Sequence, residues 1–111
     1  MKRCEQLEEI SAEEKTEFLR GLLIDNCNPV EIILFGSHAR GSSNGESDID
    51  LFVVVDDAVD LDRLRNWIHE CPEFSGADVI FRHMSDYCQK ARQFGMIDYV
   101  VAIEGKSLYR R

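Results

Sequence analysis

At 111 residues, 44% hydrophobic and 31% charged, the chain has the balance of one globular domain, with enough apolar material for a single core. No apolar run approaches the roughly 20 residues that cross a bilayer, and Lys2-Arg3 is followed by acidic residues instead of a signal-peptide core, so a cytoplasmic protein without membrane contact is expected. A formal net charge of −8 is the wrong sign for displacing counterions from a phosphate backbone: no direct nucleic-acid ligand is expected, while metal ions or a basic protein suit such a surface.

Ser11-Ala12-Glu13-Glu14 forms a capping box, and Phe18, Leu19, Leu22 and Leu23 recur behind it at helical spacing. A helix is therefore predicted from about Ala12 to Asp25, with Leu7 and Ile10 able to extend its face. It ends at Asn26-Cys27-Asn28-Pro29, because a proline drives the preceding residue out of the α region. Val30 to Phe35 reads as a buried strand. Gly41 to Ser47 is a polar loop, and Ile49 to Val55 is a second strand whose one charged residue is Asp50. Asp56 to Asp60 connects it to an amphipathic helix carrying Leu61, Leu64, Trp67 and Ile68, closed by Cys71-Pro72.

Ala77 to Phe81 is the third strand. Residues 85–103 read as helical with a break at Phe94-Gly95-Met96, and Tyr87, Ala91, Phe94, Tyr99 and Ala102 are expected to supply the core. Glu104-Gly105-Lys106 turns the chain into a short edge strand, Ser107 to Tyr109. Trp67 is expected to fill the core, and His69 and His83 to take surface or polar-network places. The four cysteines, Cys4, Cys27, Cys71 and Cys88, have no metal-ligand spacing and read as reduced and structural.

The stretch between the first two strands carries the chemistry. Residues two apart on a strand share a face, so Asp48 and Asp50 aim together while Ile49 and Leu51 enter the core. Neighbouring carboxylates raise each other's proton affinity, and a hard divalent cation such as Mg²⁺ or Mn²⁺ removes that penalty. Upstream, Gly36 lets a phosphate approach the backbone, Ser37 caps the turn that follows, and Arg40 with His38 adds positive charge. Asp78, set among residues that favour burial, joins the pair if its strand lies beside the second. Three acids would then serve two metal ions, one activating the attacking oxygen and the other steadying the leaving group.

Gly36-Ser37, ten intervening residues, then Asp48-Ile49-Asp50 resembles the G-S-x10-D-x-D signature of the DNA polymerase β-like nucleotidyltransferases. The fuller strings F-G-S-x-A-R-G and S-D-I-D-L, with the closing A-I-x-E-G-K-x-L-Y, resemble the minimal nucleotidyltransferase (MNT) subfamily, the likeness spanning about Phe18 to Tyr109. This implies an α+β nucleotidyltransferase fold: a small mixed β-sheet backed by helices in one domain, residues 1–111 with a core of about 12–109. It assigns Gly36, Ser37 and Arg40 to the nucleotide, and Asp48, Asp50 and Asp78 to catalysis and to two Mg²⁺ ions, with Mn²⁺ as a substitute.

The implied reaction moves AMP from ATP to a hydroxyl and releases pyrophosphate. The short chain leaves no room for an acceptor domain, and standalone MNT proteins are antitoxins of HEPN-domain ribonuclease toxins, some modifying a toxin tyrosine. No R-x4-H ribonuclease motif occurs here, which places this chain on the antitoxin side. Two alternatives stay open, an antitoxin that acts by binding alone and a transferase for an aminoglycoside-like small molecule. Base preference and homo-oligomerisation are left open too.

Overall fold

Ser11 begins the first helix as expected. Its hydroxyl accepts the Glu14 N–H at 3.1 Å, and the Glu14 carboxylate turns back onto the same hydroxyl at 3.4 Å. In the computed structural model, which describes residues 11–40 and 48–111 apart from the side chains of Ser37 and Arg40, this cap opens α1 (Ala12–Cys27). Leu7, Ile10, Cys4 and the Gly41 to Ser47 loop lie outside the described residues. The helix runs two residues past Asp25. Asn28 then adopts φ 44° and ψ 59°, the left-handed conformation that asparagine tolerates, and so ends the helix ahead of Pro29.

There follow β1 (Glu31–Phe35), a single helical turn α2 (Ser37–Arg40), β2 (Ile49–Val55), α3 (Leu61–Glu70) and a 3₁₀ turn (Pro72–Phe74). The chain closes with β3 (Ala77–His83), α4 (Met84–Lys90), α5 (Ile97–Glu104) and β4 (Lys106–Arg110). Asp60, read from sequence only as part of a polar connection, caps α3 by accepting the N–H groups of Asp62 at 3.0 Å and Arg63 at 3.4 Å. From the turn after β2 Asp57 reaches across to the start of α4, taking the Ser85 N–H at 3.0 Å.

The four strands lie in the order β3-β2-β1-β4, with β2 parallel to β3 and β1 antiparallel to both β2 and β4. The mixed sheet of the expected α+β fold is thus present, and its helices cover both faces. On one face Ile32, Leu34, Leu51, Val53 and Val55 pack with Leu19 and Leu23 of α1 and Leu64 of α3, while Trp67 meets Phe74 edge-on at 5.4 Å. On the other, Ile33, Phe52 and Val54 pack with Val101 of α5 and Tyr87 of α4. Cys27 sits in the first core, where burial pushes its thiol up to about 11, an inert group at neutral pH. His83 enters a polar contact through Nε2 to the Val59 carbonyl at 2.7 Å.

Three expectations change. β3 extends two residues beyond Phe81, because Arg82 and His83 continue the pairing with Val54 and Val55. Phe94 is 90% exposed and Ala102 is exposed, so neither supplies the core. The face of α5 that turns inward is instead that of Asp98 and Val101, and Asp98 is fully buried because Arg82 grips its carboxylate with two hydrogen bonds of 3.0 Å. A helix face carrying an aspartate at its centre does not register as apolar, which is why periodicity selects the wrong side.

Removing one member of a buried ion pair leaves the other charge without a partner. Asp98→Ala is expected to lower the unfolding free energy by about 3 kcal/mol, measured by urea denaturation. Exposed Phe94→Ala should change it by less than about 0.5 kcal/mol in the same assay.

Candidate functional site

Strand register builds the site. Phe35 of β1 stands opposite Asp50 of β2, and Asp50 stands opposite Asp78 of β3, so one row crosses three strands. The alternation predicted for β2 holds: Ile49 and Leu51 are buried at 3% and 0% exposure on the α1 face. Asp50 therefore shares the opposite face with Phe52 and Val54, the face that α4 and α5 flank. Asp78 shares that face with Ile80, as the alternation along β3 requires, and Asp48 precedes β2 by one residue.

Gly36 ends β1 at φ 76°, in the region where side chains are strained. A methyl group at that Cα would overlap the Asp50 carboxylate oxygen. The glycine thus has two reasons, a backbone conformation and a close approach to an acid. Directly after it α2 makes its single turn, with Ser37 as its first residue. The predicted roles of the Ser37 and Arg40 side chains lie outside the described structure.

Partial burial holds the Asp50 carboxyl above its ordinary value, with the charges of Asp78 and Asp48 adding to the rise, His38 opposing it, and a hydrogen bond to Asp78 raising it further. The three predicted acids therefore act on one another, and His38 belongs to the same electrostatic neighbourhood. Among the described residues, however, no three His, Cys, Asp or Glu side chains are gathered as an ion cage. The two findings concern different ranges. Charges perturb one another over several ångströms, whereas ligands of Mg²⁺ must come within about 2.1 Å of the ion.

The residues fit a hard divalent cation in donor chemistry. Asp50 and Asp78 are adjacent oxygen donors, their mutual repulsion is what such an ion relieves, and Gly36 keeps Asp50 clear on one side. Two clefts flank the row. One, of about 540 Å³, runs from Asp78 along β3 past Arg65, His69 and Cys71. The other, of about 670 Å³, lies beside Gly36 and Phe35 under the segment leading into α5. Sequence reading gave no sign of either, nor of Arg82–Asp98 beneath the same face; an isolated Arg and Asp sixteen residues apart carry no pairing signal.

A family model described as polymerase beta, nucleotidyltransferase matches residues 17–111. Among solved structures, a toxin-antitoxin crystal structure with AMP-PNP matches at TM-score 0.58 and 23% identity, covering 87% of this chain and 73% of its own. A tyrosine-to-alanine variant of the toxin-antitoxin MntA-HpeT matches at TM-score 0.59 and 23% identity, covering 86% and 72%. At such identity these likenesses establish the fold. No curated protein sequence matches the chain.

The raised Asp50 carboxyl sets a pH dependence. The native state holds this proton more tightly than the unfolded chain, so the stability it contributes is complete below the ordinary value of 3.8 and is lost as pH rises through the native value. In metal-free protein, Asp50→Asn should raise stability at neutral pH by about 0.5 kcal/mol and flatten its acid-side slope, as followed by urea melts across pH. Gly36→Ala should do the reverse, lowering stability by about 1–2 kcal/mol through strain and collision with Asp50.

Proposed function

The chain belongs to the polymerase β nucleotidyltransferase family, and from that premise we propose that it is an antitoxin that transfers AMP from ATP to a hydroxyl of a HEPN ribonuclease toxin, most simply a tyrosine. The observation that carries the reading is the pair Asp50 and Asp78 with Gly36 against Asp50, which sets a cleared turn beside two carboxylates. The partner class is supported by the toxin-antitoxin structures that share this fold, one of them with AMP-PNP and others of MntA-HpeT. A surface of net charge −8 also complements the basic face that a ribonuclease offers to RNA.

In this mechanism Gly36, Ser37 and Arg40 take the β- and γ-phosphates at the start of α2, the end of a helical turn that favours an anion. Asp48, Asp50 and Asp78 would hold two Mg²⁺ ions. Bound there, they supply charge neutralisation for the triphosphate and a lower pKa for the attacking hydroxyl. The acceptor hydroxyl reaches the site from the Asp78 side, where the cleft past Arg65 and His69 opens. Its oxygen bonds the α-phosphorus, the bond from that phosphorus to the bridging oxygen breaks, and pyrophosphate leaves with the electron pair. Asp78, the exposed carboxylate of the row, receives the hydroxyl proton.

The test incubates the protein with ATP labelled at the α-phosphate, Mg²⁺ and a purified HEPN toxin. Label is expected on the toxin, with transfer reduced on the order of a thousandfold by Asp48→Ala or Asp50→Asn while circular dichroism stays unchanged. No label from the wild type, with an Asp48→Ala variant still suppressing toxicity, would replace transfer by neutralisation through binding alone.

A further inference from the structure

Among the described residues Phe94 is the large apolar side chain most exposed to solvent, at 90%, and it lines the cleft that Gly36 shares. Its ring meets Tyr99 in a T-shaped pair, with centroids 5.6 Å apart and planes at 71°, while at 90% exposure most of the ring stays open to solvent. Met96 and Val100 continue the apolar wall, and Glu104 brings a carboxylate to it. We propose that this cleft is the base subsite of the nucleotide, in which Phe94 stacks on a purine and Glu104 accepts from the purine's exocyclic amine.

The subsite rests on the nucleotidyltransferase reading above and assigns it a base. Continuity decides the occupant: Gly36 both lines this cleft and touches Asp50, so a molecule whose phosphates lie at the Gly36 turn has its nucleoside within reach of this wall. At about 670 Å³ the space has the size of a small-ligand pocket. A solvent-exposed aromatic ring is a ready stacking partner for a nucleobase. A carboxylate offers several lone pairs, so Glu104 can take an amine hydrogen beside its existing interaction, and it repels a base presenting a carbonyl at that position.

Calorimetric titration with Mg²⁺ separates the base from the phosphates, using a non-hydrolysable ATP analogue and inorganic tripolyphosphate on the full chain. Phe94→Ala should weaken the ATP analogue about tenfold and leave tripolyphosphate unchanged, and Phe94→Trp should restore the affinity. Glu104→Gln should narrow the preference for the adenosine over the inosine analogue. If Phe94→Ala binds both ligands like the wild type, the base subsite is wrong and the phosphate and metal reading stands. If the wild type binds neither ligand, both readings fall. If Phe94→Ala keeps nucleotide affinity and loses toxin binding, the cleft is a protein-docking surface and the base assignment is overturned.

Discussion

The pairing of β2 with β3 in parallel register, Asp50 opposite Asp78, is the constraint on which the rest of the molecule turns. Two acids a strand apart on one face repel in a half-buried setting, and their shared hydrogen bond offsets that repulsion only while one of them keeps a proton. Chemistry at neutral pH therefore favours a cation in place of the proton. Moving β3 by one residue would turn Asp78 to the α1 face, among Val79 and Phe81, and dissolve the site. The seven paired residues from Ile49–Ala77 to Val55–His83 hold that register, with Phe52, Val53 and Phe81 almost fully buried inside it.

The scaffold directs its own positive charge away from the row. Arg82, on the same face as Asp50 and Asp78, is bound to Asp98 and lies over the Phe52 ring at 5.7 Å. Arg20 donates to the Leu108 carbonyl, Arg110 to Glu31, and Arg111 to Asp56 and the Asn28 carbonyl. The last three arginines tie α1, β4 and the ends of β1 and β2 together, and Arg82 ties β3 to α5. They are structural, and in the proposed function a polyanionic nucleotide would draw its neutralising charge from the Gly36–Arg40 turn and from metal ions. The acidic net charge and the acidic site express one economy of cations.

Much of this was legible from residue order because it depends on local rules. Ser11 with Glu14 marks a helix start, β-branched runs mark β1 and β2, and alternation alone separates Asp50 from Ile49 and Leu51. The grouping of Asp78 with Asp50 needed strand order, which no local pattern supplies. Periodicity failed on α5 because the inward position is occupied by Asp98, whose burial depends on an arginine sixteen residues earlier. It also credited Phe94 to the core because aromatic residues are usually buried, and only tertiary structure reveals an aromatic left out in water.

The exposure of Phe94 sharpens the functional picture. A core aromatic and an exposed one look alike in sequence, but only the exposed one keeps ring surface to offer a ligand. Gly105 shows that the position of α5 is not slack: a methyl there would strike Ile33 and the Val101 carbonyl, so the helix end is pressed onto β1. With Val101 and Asp98 locked inward, the outward residues Ile97 and Val100, exposed at 40% and 41%, are held rigidly in place. An apolar wall fixed by the core and opening beside Gly36 would lose little entropy on taking a flat ring, as the proposed base contact requires.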